Sequence, residues 1–172
     1  MSSWTNRLDA ETLANHTQAI VRAGFLEHEN AVFVHDLDRM TTRVAALQDA
    51  FGPRALHAIA VKANPVVSIL ERLVDDGAGL ECASIEEVHL SLAAGCEPAK
   101  IVFDSPAKTR DELVFALEKG LHLNLDNFDE LERVRRLVEE DQMPHGHVGI
   151  RVNPQVGHGT ISMTSVAGKI SK

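Results

Sequence analysis

The architecture is most legible in His57-Ala-Ile-Ala-Val-Lys-Ala-Asn-Pro65. A short apolar run closes on a lysine, and Pro65 then suits a loop or helix entry. Runs of the same kind recur at Gly79–Ala83, Ile101–Asp104, Leu121–Leu125 and His147–Asn153, starting 22, 22, 20 and 26 residues apart. Between them, Val66–Asp75, Ile85–Ala94, Arg110–Lys119 and Phe128–Glu140 have helical apolar spacing. Strands alternating with helices at this spacing predict βα units and a parallel sheet.

The punctuation agrees with the pattern. Ser84-x-x-Glu87, Thr109-x-x-Glu112 and Asn127-x-x-Glu130 each stand just before a helical segment. They fit a capping box or its Asn variant, which satisfies free amide donors at a helix start. Gly77, Gly95 and Gly120 fall just past helices, where a left-handed C-cap favours glycine. Upstream lie a helical segment over 10–22, an apolar run at Ala31–Asp36 and a helix over Leu37–Ala50. The first two belong to a second domain's sheet or pack across a barrel bottom. The expected division is a helical lead-in over 1–30 and a barrel portion over 31–172.

Two α/β architectures compete. A closed eight-stranded barrel typically takes ~250 residues, so five regular units would be a partial (β/α)8 TIM-like barrel. An open parallel sheet of the doubly wound kind would be complete at this size. Such a sheet usually carries a glycine-rich phosphate loop after its first strand, where Lys62-Ala-Asn-Pro65 stands instead. Gly157-His-Gly159 lacks a third glycine, and the polar stretch Gln155–Lys172 reads as a loop. The expectation is therefore the partial barrel, with the open sheet as alternative.

Composition narrows the function classes. With 17 basic and 25 acidic residues the net charge is −8, and no basic cluster with interleaved aromatics occurs, so nucleic acid is not an expected partner. No stretch reaches the ~20 apolar residues of a membrane helix, and the first residues lack the apolar core of a signal peptide. A cytoplasmic location is the default expectation. Cys82 and Cys96 match no zinc or redox spacing. His145-x-His147 lacks an acidic or cysteine companion, so no metal is expected.

Parallel α/β sites form at the C-terminal ends of strands. Those ends carry Lys62 with Asn64, Glu81 with Ser84, Asp104, Asn124 with Asp126, and Arg151 with Asn153. Strands that simply exit into water would also end on polar residues. Lys62 stands apart because it closes a strongly apolar run. Burial near a barrel axis would favour the neutral amine that forms Schiff bases; the alternative is a lysine that reaches out to solvent.

These residues resemble a known family. Ala60-Val-Lys-Ala-Asn-Pro65 resembles the cofactor-lysine segment of the diaminopimelate/ornithine decarboxylases, the fold-type III pyridoxal phosphate (PLP) enzymes of alanine-racemase-like barrel fold. Leu80-Glu-Cys-Ala-Ser-Ile-Glu-Glu87, Ile101-Val-Phe-Asp-Ser-Pro-Ala-Lys108 and Ile150-Arg-Val-Asn-Pro154 are similar to its second-, third- and fifth-strand segments, in the same order. The resemblance implies PLP as cofactor, held by Lys62, with Glu81 and Arg151 near the ring and Lys62. Glu87 matches an active-site glutamate of the family, while also completing the capping box with Ser84. Glu81 stands where the family commonly has aspartate, and the segment after Pro154 differs from the usual continuation.

The implied activity of the full-length enzyme is decarboxylation of an amino acid, meso-diaminopimelate to lysine or a related basic or diamino acid. A homodimer follows from the family's shared site. Three family features lie outside the sequence: a ring-stacking histidine, a glycine-rich phosphate loop and a C-terminal β domain. The 172 residues alone are therefore expected to be inactive. The alternative is a catalytically silent PLP-binding or regulatory homologue.

Overall fold

The computed structural model describes residues 8–144 and 146–152. The chain divides into two compact units, Met1–Asp36 and Leu37–Lys172. In the first, helix α1 (Ala10–Arg22) starts on Asp9, whose carboxylate accepts the Thr12 N–H at 2.8 Å. A single 3-10 turn at Phe25–Glu27 follows. Residues 31–36, expected as a strand, pair with no strand among the described residues. An apolar run suits a strand, but only a paired neighbour makes it one.

The second unit opens with α2 (Leu37–Phe51) and continues as β1 (Ala58–Ala60), α3 (Val67–Asp75), β2 (Gly79–Cys82), α4 (Ile85–Ala93), β3 (Ile101–Phe103), α5 (Arg110–Lys119), β4 (His122–Leu125), α6 (Phe128–Glu139) and β5 (Val148–Ile150). Among the described residues all four strand pairings are parallel, and the spatial order is β1-β2-β3-β4-β5. That order settles the architecture. A doubly wound sheet reverses its strand order partway and takes helices on both faces. Here each strand is laid beside the one before it, as in a (β/α)8 barrel. The five strands form an open arc of such a barrel, and the doubly wound alternative is set aside.

Alternation along each strand separates two faces. Leu80, Cys82, Ile101, Phe103, Leu123 and Leu125 are buried and share one core with Leu70, Val88, Leu113, Ala116, Val134 and Leu137 of the helices. The residues between them, such as Glu81, Val102 and Asn124, turn to the opposite face and are only half-buried. At the helix ends Gly77, Gly95 and Gly120 take φ of 86°, 79° and 71°, the left-handed conformation expected of C-caps. Thr109 and Glu112 form the full reciprocal capping box. Among the described residues no helix is long and apolar enough to cross a membrane.

Candidate active site

The strand register brings the polar ends together. Ala60 pairs with Glu81, Glu81 with Val102, and Val102 with His122; Asn124 pairs with Gly149. Past this level the chain leaves each strand with Lys62, Asp104, Asp126 and Arg151. The Arg151 amide donates to the Leu125 carbonyl at 2.9 Å, and the Asp104 amide to the Cys82 carbonyl at 2.9 Å. Backbone pairing thus fixes where these side chains begin.

Lys62 lies on the 3-10 turn Val61–Ala63 that ends β1, not on the strand itself. Its Nζ sits 3.8 Å from Glu81 Oε2, and its side chain is 62 % exposed. Of the two alternatives for this lysine, the structure shows the one that reaches out to solvent. The physical reason is the open arc: desolvation at a barrel axis needs strands on the far side, and the described strands do not supply them. Glu81 is the less exposed partner, half-buried at 19 %. Burial pushes its carboxyl above the usual range; Lys62 opposes that, Asp104 and Glu87 add to it, and Arg151 again opposes it. The four named groups thus act on one carboxyl.

Arg151 lies between two carboxylates. Its Nη1 is 3.6 Å from Asp126 Oδ1 and 3.9 Å from Asp104 Oδ2. Asp126 Oδ1 is buried without a hydrogen-bond donor among the described residues, so this guanidinium is its nearby compensation. Glu87 is committed at the start of α4. Its Oε2 accepts the Ala83 N–H at 2.7 Å, and its own N–H donates to Ser84 Oγ at 3.4 Å. The capping role is thus present, with the carboxylate reaching one residue past the cap. Asn153, Pro154 and Gly157-His-Gly159 lie outside the described residues, as does His145. His147 stacks instead on His122, centroids 4.8 Å apart.

One feature of this end of the sheet escapes sequence reasoning. Lys108 and Glu130 form an ion pair of 2.9 Å with both side chains at 0 % exposure. They are far apart in sequence and on different elements, so no spacing rule links them. Glu130 reads from the sequence as a helix-cap residue only, and Lys108 as one residue of a family-like segment.

The chain is similar to known proteins over most of this length. Residues 37–172 match the family described as "Pyridoxal-dependent decarboxylase, pyridoxal binding domain". A diaminopimelate decarboxylase of Pseudomonas aeruginosa is 37 % identical over 142 residues, covering 81 % of this chain and 34 % of that protein. One of Helicobacter pylori is 31 % identical over 150 residues, covering 86 % and 37 %. The chain thus spans about a third of the length of the curated relatives it matches. Among solved structures, diaminopimelate decarboxylase from Helicobacter pylori complexed with L-lysine superposes with a TM-score of 0.78 at 27 % identity, covering 88 % of this chain and 39 % of that one.

Proposed function

The chain belongs to the pyridoxal-dependent decarboxylase family, and from that premise we propose that its full-length protein converts meso-diaminopimelate to lysine using PLP. The observation that carries the proposal is the cluster at the strand ends: a solvent-accessible Lys62 amine 3.8 Å from the half-buried Glu81, with Arg151 acting on the same carboxyl. The residues fit the cofactor. An aldehyde needs an amine it can reach, and the exposed Lys62 Nζ offers one at the face where barrel enzymes build their sites.

When bound, PLP supplies an electron sink for the charge left as CO2 departs. The chain's own residues have simpler tasks. Lys62 holds the cofactor. Glu81, its carboxyl raised by burial, holds or yields a proton beside the Lys62 amine. Arg151, just past the end of β5, supplies positive charge for an anionic group of cofactor or substrate. Glu87 anchors the loop that follows Glu81 through the Ala83 amide. The substrate reading rests on the diaminopimelate decarboxylases among the relatives and on the lysine named with the Helicobacter pylori structure. The protein works in the cytoplasm as a homodimer whose second subunit completes the site.

The experiment is to treat the full-length protein and the 172-residue chain with PLP. Each is then reduced with borohydride, and the modified peptide is mapped by mass spectrometry. A pyridoxyl group on Lys62, together with CO2 release from meso-diaminopimelate by the full-length protein, is the expected result. No label at Lys62 in either form refutes the assignment of the cofactor lysine. Label without CO2 release from any diamino acid would instead favour a silent PLP-binding homologue.

A further inference from the structure

Arg151 is flanked by two loops, and those loops are tied together beneath the site by a buried ion pair that no step above uses. Lys108 closes the loop that begins at Asp104, and its Nζ donates to the Ser105 carbonyl at 2.7 Å and to Glu130 Oε2 at 2.9 Å. The same Glu130 oxygen accepts the Asp126 N–H at 2.9 Å. A single carboxylate oxygen therefore receives the ammonium of one loop and an amide of the other. Arg133 closes the arrangement: Nη1 donates to the Lys108 carbonyl at 2.7 Å, and Nη2 lies 3.7 Å from Glu130 Oε1.

We propose that the Lys108–Glu130 pair positions Arg151 by setting the separation of Asp104 and Asp126. The path is short at both ends. Asp104 is bonded directly to Ser105, whose carbonyl Lys108 holds, and Asp126 is held by its own amide. These aspartates are the two carboxylates at 3.9 and 3.6 Å from the Arg151 guanidinium. Lys108 and Glu130 act through other residues and touch no reacting atom.

A comparison inside the molecule separates this role from helix capping. Glu87 makes the same backward bond from α4 to the Ala83 amide. It does so without a buried lysine, for Lys108 is the one lysine buried among the described residues. Capping alone does not need the ammonium. What Lys108 adds is the tie between the β3 and β4 loops. Replacing a buried ion pair by neutral groups of similar volume is often harmless to stability, so placing the loops is the task that distinguishes the charged pair from a neutral filling.

The inference rests on the functional reading above for its consequence, since the orientation of Arg151 matters to PLP only if this face binds it. The test uses full-length protein with 15N-labelled arginine and the double variant Lys108→Met/Glu130→Gln, which keeps volume and an acceptor for the Asp126 amide. The Arg151 Nε–H resonance is assigned with Arg151→Lys, and PLP affinity is read by absorbance titration. A folded double variant with a near-native unfolding midpoint, a shifted Arg151 resonance and PLP binding weakened about tenfold is expected. A purely structural pair would leave the Arg151 resonance and the PLP affinity unmoved in the folded variant, and that result overturns the proposal. If the neutral pair does not fold, Glu130→Asp, which keeps the charge but shortens the reach, is judged by the same two readouts. Wild-type protein that takes no PLP at Lys62 would refute the functional reading, while the Arg151 resonance would still judge the positioning.

Discussion

Glu130→Gln is the sharpest test of how the strand-end loops are held. The substituted glutamine would keep the shape of the side chain and can still accept the Asp126 amide. What disappears is the counter-charge of an ammonium at 0 % exposure. Lys108 Nζ then retains the Ser105 carbonyl at 2.7 Å and the Phe103 ring, centroid 5.5 Å away. Breaking one side of a buried pair costs about 3–5 kcal/mol. With a urea slope of about 2 kcal/mol/M, that moves the unfolding midpoint down by roughly 2 M. Lys108→Met should cost less. The stranded Glu130 carboxylate keeps the Asp126 N–H, and the half-exposed Arg133, 3.7 Å away, can move closer. The double variant should recover most of the loss, because no unpaired charge remains inside. Urea unfolding of all four proteins, followed by far-UV circular dichroism, gives the cycle. A Glu130→Gln variant within about 1 kcal/mol of wild type, or a double variant as unstable as Glu130→Gln, would show that the buried charges are not coupled in this way.

Other expectations follow from single environments. Glu81 has its carboxyl raised above 4.5 by burial, so the folded state holds that proton more tightly than the unfolded chain. Its contribution to stability therefore falls as pH rises from 4.5 through the raised value. Glu81→Gln should remove this loss, seen as a wild-type-minus-variant stability difference that changes over that window; a flat difference counts against it. Gly79→Ala would place a Cβ against the Lys100 carbonyl oxygen, with Leu56 Cδ1 at 3.0 Å, where β2 meets the start of β3. Because one neighbour is backbone, a cost of about 1–3 kcal/mol is expected by urea unfolding, and a neutral result would show that the strands can spread. The Cys82 thiol is pushed up to about 12 by burial, and both cysteines are buried. Neither should react with iodoacetamide at about pH 8 until the protein is unfolded; rapid labelling of Cys82 in the folded protein would contradict its burial.

Most of the helices and strands were legible because their signals are local. Arg110–Lys119 forms the helix that its spacing and Thr109-x-x-Glu112 predict, and the glycines past α3, α4 and α5 take the backbone conformation that few other residues adopt. The polar ends of β1 to β5 were legible too, since alternation and the parallel layout place them on one edge. Strand ends were less well defined. His57–Lys62 contracts to Ala58–Ala60, and Ala31–Asp36 pairs with no strand among the described residues, because pairing depends on a distant neighbour rather than on composition.

The order of βα units, their capping and the family segments around Lys62, Glu81 and Arg151 are properties of adjacent residues and can be read along the chain. The sequential strand order and its open arc came from folding, as did an exposed Lys62 beside a half-buried Glu81 and an Arg151 set between Asp104 and Asp126. Folding also brought together Lys108 and Glu130, 22 residues apart. The reason is physical: exposure and charge pairing are set by which segments the fold places side by side, and a lysine in a loop carries no mark of the carboxylate that will cover it.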